Sequence, residues 1–421
     1  MKSIKTKTHL LRLYLSEYRK RRKKTALITF AIAWGALSLL LLMSFGRGLA
    51  NQFRTGMSGL GIDLVMFTSG QTSKVYQGLP KGRRIYMYPE DIDLLRQQIP
   101  GIRRITGEYF TNMTISYKGK ETRRNVNGVE APFRIMRSTY ARLGGRFINP
   151  QDNRLARRVA FVGWKLANYL FGSLDPVGQT IFINREPFKV VGVMKKKLQM
   201  GNYQGFAYDH IYIPFSTFEK LYSQRFVDRI HIQPMERRHS RFIVKRVKEV
   251  LGRKYRFDPD DDYALNVWNT IVQGDVTRKV FVGIEVFLGL IGALTLLIGA
   301  VGVTNLMYAV ARERTREIGI KMALGAKRRH IIQQFMLEAL FIFLKGTLWG
   351  VLIAFNIVVL VRQIPMTYEL TSIQSYLLRP TFSTDIMIFF VTIMAVLVFL
   401  SGIFPALKAS RLNPVEALRY E

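Results

Sequence analysis

One stretch constrains this chain more than any other: residues 26–45, ALITFAIAWGALSLLLLMSF, twenty positions without a charge. As a helix rising 1.5 Å per residue the stretch is about 30 Å long, the thickness of a bilayer's hydrocarbon core. It exceeds the roughly 7–15 apolar residues of a cleaved signal peptide, and so reads as a retained anchor. Three further apolar runs follow at 280–310, 331–361 and 386–406. The expected fold is therefore membrane α-helical, with four transmembrane helices. The 31-residue second run is about 46 Å long if helical, more than the hydrocarbon requires. It is expected to continue as a stalk, with Glu285 near its outer end.

Charge orients these spans. Segment 1–25 carries ten Lys/Arg, loop 311–330 seven and tail 407–421 three, whereas loop 362–385 carries two. The positive-inside rule then places 1–25, 311–330 and 407–421 in the cytoplasm, together with both termini. A helix carrying Leu10, Leu11, Leu13, Tyr14, Leu15 and Tyr18 along the inner leaflet and a plain stop-transfer charge cluster both explain the first segment. The whole chain has a formal charge of +34, but its distribution speaks for a membrane surface and not for nucleic acid. With no cysteine, disulfides and thiolate metal sites are excluded.

Between the first two spans lies an external region, 46–279, expected to be a large mixed α/β domain. Strand signals occur at 62–67, 108–117, 122–130, 159–162, 179–184, 188–194, 227–232 and 263–268. Helical signals occur at 89–99, 165–171, 215–222 and 240–251. Hairpins are expected around Lys118-Gly119-Lys120 and Arg185-Glu186-Pro187. The partition suggested is one lobe built from both ends, with a second inserted near 134–215. Residues 46–281 hold 40 Lys/Arg against 20 Asp/Glu, which fits an anionic partner or an anionic lipid surface and, equally well, a lineage of basic proteins.

Catalytic signatures are absent. No G-x-x-x-x-G-K-S/T, H-E-x-x-H or G-x-S-x-G occurs in the 421 residues. His210, His231 and His239 match no zinc spacing. The run 258–262, DPDDD, lacks the glycine and closing glutamate of a calcium loop and reads as a solvated turn. Glu338 and Lys345 lie seven residues apart on one face of the third span. They are read as a structural membrane ion pair in preference to an ion pathway, with Arg328 or Arg329 near Glu338. Gly289, Gly292, Gly299 and Gly302 allow close helix approach, to a second copy or within the chain.

The informative loop is 311–330, ARERTREIGIKMALGAKRRH. Gly319 and Gly325 bracket Ile320–Leu324, and glycine stops helices. The second span is expected to continue to about Ile318, followed by a short helix to Leu324, a turn at Gly325 and a new helix from Lys327. Ile318, Met322 and Ala326 recur every four residues, so their stripe is expected to dock on a partner, with Glu317, Lys321 and the arginines, Arg316 among them, as polar rim.

These residues carry a resemblance. The stretch LIGAVGVTNLMYAVARERTREIGIKMALGAKRRHIIQQFMLEAL resembles the signature region of macrolide-exporter-type (type VII) ABC transporter permeases, a superfamily shared with lipoprotein-release and cell-division permeases. SEYRKRRKKTALITFAIAWGALSLLLLMSFGRGL is similar to that family's first span, GIFPALKASRLNPVEALRYE to its C-terminus, and VAFVGWKLANYLFGSLDPVGQTIFINREPFKVVGVM to its periplasmic core. The resemblance covers most of the chain and is weakest at 62–150 and 200–275.

The resemblance implies a permease subunit of the bacterial inner membrane that pairs with a second permease, as homodimer or paralogue heterodimer. Two copies of an ABC ATPase would bind it, with a periplasmic adaptor and an outer-membrane channel as further candidate partners. Arg316, Glu317, Ile318, Gly319, Lys321, Met322, Leu324, Gly325 and Ala326 would form the element that couples to the ATPase. No cofactor is expected on this chain, with ATP and Mg held by the partner. The prototype exporters carry a fused ATPase before the first span; here 25 residues precede it, so the ATPase is expected on a separate chain. Export from the periplasmic side is the favoured function. A lipoprotein-release permease and a non-transporting regulator are the alternatives, the regulators having a much smaller external domain, and a membrane-anchored external enzyme lacks its catalytic residues.

Overall fold

The computed structural model describes residues 22–411, apart from 60, 62, 198, 200–204, 365–366, 369–372 and 375–378. The expected inner-leaflet helix in 1–25 and most of the tail 407–421 lie outside the described residues.

The chain runs from a long helix α1 (Arg22–Ser58) into β1 (Val65–Ser69), α2 (Pro89–Gln98), β2 (Ile102–Tyr117) and β3 (Lys120–Val129). Two short helical turns follow, α3 (Phe133–Met136) and α4 (Pro150–Arg154), then β4 (Val159–Val162), α5 (Trp164–Phe171), β5 (Thr180–Ile183) and β6 (Glu186–Val193). The domain closes with β7 (Ile211–Pro214), α6 (Phe215–Tyr222), β8 (Arg229–Pro234), α7 (Ser240–Tyr255) and β9 (Leu265–Asn269). Then come α8 (Thr270–Glu313), a short helix α9 (Thr315–Ala323), α10 (Arg328–Gln363) and α11 (Thr384–Ser410). Four of these helices, in α1, α8, α10 and α11, are long and apolar enough to cross a membrane. The architecture is four spanning helices with a mixed α/β domain between the first two.

Local chemistry explains the domain's elements. Pro89 opens α2, where its missing N–H costs nothing, and the Asp91 carboxylate accepts from the Tyr88 N–H at 2.7 Å. Both expected hairpins form. Lys118 and Gly119 have φ of 46° and 83° in the first, Asn184 and Arg185 have 46° and 70° in the second. Two successive positive φ values match the twist of paired strands. The second turn therefore sits one residue earlier than the sequence suggests.

All nine strands of the domain join one sheet, in the order β3-β7-β4-β6-β5-β2-β8-β1-β9. β3 also pairs with β2 from Glu108↔Val129 to Tyr117↔Lys120, so β2, β3, β7, β4, β6 and β5 close a circuit. Strands β8, β1 and β9 extend from it. The strands within 134–215, where an inserted lobe is expected, are members of this sheet. Those strands pair into the common sheet, β3 with β7 in parallel and β4 with β6 in parallel. The larger apolar core runs from Phe67 and Leu95 to Phe171, Phe188 and Leu251, while Phe147, Phe161, Met194 and Tyr212, within 134–215, belong to a separate cluster with Phe133. Such long-range pairings have no local sequence signal. The domain, 53–279, is one compact unit.

The helices form a second unit with its own core of Ile32, Ala36, Leu39, Leu296, Val303, Phe335, Ala339, Phe343, Phe390 and Ala406. Gly292 packs on α1: a Cβ there would lie 2.8 Å from Leu39 Cα. Gly289 faces Phe389, Gly299 faces Ile32 and Gly302 faces Ile28, all within the chain. At one end of this unit Arg47 donates to Glu285 (3.1 Å) and Asp385 (3.2 Å), tying α1, α8 and α11 together.

Candidate functional site

The site is built around α9, nine residues set between two long apolar helices. α8 ends at Glu313, and the break falls at Arg314, not near Gly319 as the glycine pattern suggests. The Thr315 hydroxyl sits at this break. It donates back to the carbonyls of Ala311 (3.2 Å) and Arg312 (2.8 Å), an interaction that competes with regular helix geometry and bends helices. Gly319 is buried within the short helix.

The far end follows the sequence closely. Gly325 has φ of 93°. Its N–H donates to the Met322 carbonyl at 3.1 Å, and the Ala326 N–H to the Lys321 carbonyl at 3.0 Å. This pair of bonds, with a left-handed residue after the cap, is the Schellman stop. Helix α10 restarts at Arg328.

The orientation of α9 corrects one expectation. The Ile318–Met322 stripe does not face outward. Ile318 is 4% exposed and joins the helical core, with Met322 packed against it. The apolar side of α9 is spent on the protein's own helices, because burying it there removes it from water without a partner. The outward face is Arg316, Glu317, Ile320, Ala323, Leu324 and Gly325. Leu324 is 83% exposed.

A polar chain clamps the helix from its side. Glu317 accepts from Lys321 Nζ at 2.6 Å, one turn apart. Lys321 also reaches Gln334 Oε1 at 3.4 Å, and Gln334 Nε2 reaches Glu338 Oε1 at 3.5 Å. Glu338 accepts from Arg314 Nη1 at 2.8 Å, with both side chains largely buried. Arg314 at the junction of α8 and α9, the short helix itself and α10 thus share one network. The partner of Glu338 is Arg314, rather than Lys345, Arg328 or Arg329. Seven residues of helix separate Lys345 from Glu338 by about 10 Å along the axis, while the kink at Arg314 turns its side chain toward α10. Arg314 reads in the sequence as one of the rim arginines, whereas Gln334 carries no such mark. The i,i+4 spacing of Gln334 and Glu338 was the only available signal.

Among the described residues no three His, Cys, Asp or Glu side chains gather as a metal site. His210 lies near Asn125, His231 is buried against Glu108, and His239 sits in the turn Arg237–His239. Asp261 accepts from Ser73 and the Lys74 N–H, Asp258 from Lys74 and Asp262 from Lys248, so the acidic run ties loops and helix together. Glu108, 1% exposed, accepts from Asn127 (2.6 Å), Arg229 (3.2 Å) and His231 (2.9 Å). Burial opposes its ionisation, but the His231 hydrogen bond and the neighbouring cationic groups outweigh it and hold the carboxyl below the usual range. The adjoining cavity measures about 10 Å³, room for one water and no substrate.

Four apolar helices, a strand-rich domain between the first two and a clamped short helix between the second and third define a multi-pass membrane permease. Residues 25–249 match the MacB-like periplasmic core domain, and residues 289–414 match the FtsX-like permease C-terminal domain. The chain belongs to the macrolide-exporter-type family of ABC transporter permeases. It is 28% identical over 94% of its length to the macrolide export ATP-binding/permease protein MacB of Bdellovibrio bacteriovorus, of which it spans 59%. It is 28% identical over 94% of its length to the pyoverdine export ATP-binding/permease protein PvdT of Pseudomonas aeruginosa, spanning 56% of that protein. The uncharacterized ABC transporter permease YknZ of Bacillus subtilis is 26% identical, with 98% of each chain covered.

Proposed function

We propose that this chain is the membrane subunit of an ATP-driven export system that converts nucleotide-driven closure of a partner ATPase into movement of its own domain. One observation carries the reading. α9 is held to α8 and α10 by the Arg314–Glu338–Gln334–Lys321–Glu317 chain while its outer face is left exposed. A helix fastened inward and bare outward is suited to receive a push and pass it to two long helices.

In this reading ATP and Mg are held by the partner, bound in two copies to a pair of permease subunits. The positive-inside charge pattern supports a cytoplasmic side for α9 and both ends of this chain, where an ATPase works, and the opposite side for the domain. The substrate is then taken from the outer side, and an adaptor and outer-membrane channel would complete the route. Two relatives are named for export of macrolides and of pyoverdine, which supports export as the class of work.

The test is reconstitution of the permease with its ATPase in nanodiscs. Leu324→Asp and Arg316→Glu are expected to abolish permease-dependent stimulation of ATP hydrolysis while leaving the permease folded. Normal stimulation in the Leu324→Asp, Ile320→Asp double variant overturns the reading.

A further inference from the structure

The sheet leaves one long edge open. Six of its strands close a circuit, and the extension ends at β9, which pairs with β1 from Val65↔Asn269 to Ser69↔Leu265. Among the described residues no strand pairs with its other side. Exposed edges are normally guarded by lysine, proline or a bulge, because their free backbone groups template further strands. β9 reads Leu-Asn-Val-Trp-Asn, with no charge and no proline, and the β1–β9 register runs without a shift.

A groove of about 380 Å³ opens beside this edge. Its walls are Val244 of α7, Val267 of β9 and Val272 of α8, with Arg241, Asn269 and Gln273 around them. Asn269 and Gln273 are already engaged: Asn269 accepts from the Ile271 and Val272 N–H groups, Gln273 from the Trp268 indole. Arg241 is exposed and has no acidic partner among the described residues. An unguarded strand edge, an apolar slot and an uncompensated guanidinium therefore lie together.

We propose that β9 accepts an extended segment of an acidic partner protein as a tenth strand. Main-chain hydrogen bonds to the β9 edge would supply the pairing. The valine-lined slot would take one apolar side chain, and Arg241 a carboxylate. Charge argues against a second copy of this chain as occupant. Residues 46–281 hold 40 Lys/Arg against 20 Asp/Glu, so two copies repel where an acidic chain is attracted.

The experiment uses the full chain in neutral-lipid nanodiscs and a fluorescein-labelled peptide, Glu-Val-Thr-Val-Asp-Val-Thr-Glu, read by anisotropy. Expected is saturable binding, at least about tenfold tighter than that of the same peptide with lysine for each acid. R241E is expected to invert that preference, and V244D to abolish binding. N266K, which places a guard at an exposed edge position, is expected to weaken it with unchanged thermal unfolding. N-methylation of alternate peptide nitrogens is expected to remove binding altogether, since it deletes the strand's donors. The proposal is overturned by absence of binding to the wild type, by equal binding of the N-methylated peptide, or by indifference to both R241E and V244D. Self-association through β9, abolished by N266K in the absence of peptide, would assign the edge to a second copy and overturn it as well.

Discussion

Arg314 Nη1 lies 2.8 Å from Glu338 Oε1, across the junction where α8 gives way to α9 and against the first turns of α10. Both side chains are largely buried, 16% and 13% exposed. The pair closes the polar chain that fixes the short helix. Removing one member of such a pair leaves the other charge poorly solvated, at a cost on the order of 3 kcal/mol. Glu338→Ala is expected to lower the permease's thermal stability in detergent by that order. The Arg314→Met, Glu338→Met double variant should recover much of it, since two apolar side chains leave no orphaned charge. Additive losses in the double variant would show that the two residues act independently.

The two faces of α9 should separate in experiment. Ile318 is buried in the helical core, so Ile318→Asp is expected to destabilise by about 3 kcal/mol or more. Leu324, 83% exposed, should tolerate Asp with less than about 0.5 kcal/mol of change, while ATPase stimulation is lost. Unfolding curves and ATPase assays on the same samples make the comparison. Gly325 has open space around a would-be Cβ but a φ of 93°, so Gly325→Ala should cost about 1 kcal/mol through backbone strain alone.

Gly292 sets how closely α8 approaches α1. Because a Cβ there would meet the Leu39 side-chain tip first and, at 2.8 Å, the Leu39 Cα, which cannot swing away, Gly292→Val must separate the helices. Overpacking of this kind costs about 1–3 kcal/mol. Cysteine pairs placed across the α1–α8 contact are expected to cross-link less readily in that variant. Unchanged cross-linking would show that the two helices do not depend on this glycine.

Asp228 gives the domain a pH signature of known sign. Its carboxylate accepts from the Phe110 N–H at 2.9 Å and from Gln224 at 2.8 Å, yet burial outweighs these bonds and pushes its pKa up to about 6. A folded-state pKa above the unfolded value of about 3.9 means that the native state binds the extra proton between those values. The burial penalty is therefore absent at acid pH and grows as pH rises through 6. Asp228→Asn keeps the acceptor oxygen and removes the charge. It is expected to stabilise the protein by about 1–2 kcal/mol at pH 7.5, a figure discounted for partial solvent access, and by nothing near pH 4. A stability difference that does not vary with pH would remove the assigned cause.

The domain's secondary structure was largely readable from the sequence, and for a physical reason. Alternation around Lys118-Gly119-Lys120 and the proline opening α2 are local signals, and hairpins and helix starts are local structures. The closure of β2, β3, β7, β4, β6 and β5 into a circuit was not readable, because β3 meets β7 more than eighty residues later in the chain. The buried group of Glu108, Asn127, Arg229 and His231 was missed on the same ground. Its members come from three strands, and nothing in the spacing of polar residues marks them as neighbours.

The sequence by itself determined the four apolar spans, the family, and the stop at Gly325. Hydropathy over twenty residues, a distinctive string of side chains and a glycine's access to positive φ are each properties of a short stretch. Only the tertiary structure decided which way α9 faces. Its amphipathic stripe is equally suited to an outside partner or to the chain's own helices, and the α8, α10 and α11 core buries Ile318 and leaves Leu324 bare. The same holds for Glu338, whose partner was fixed by the kink at Arg314: two charges pair according to where the backbone puts them, and that is set by packing between helices, not by distance along the chain.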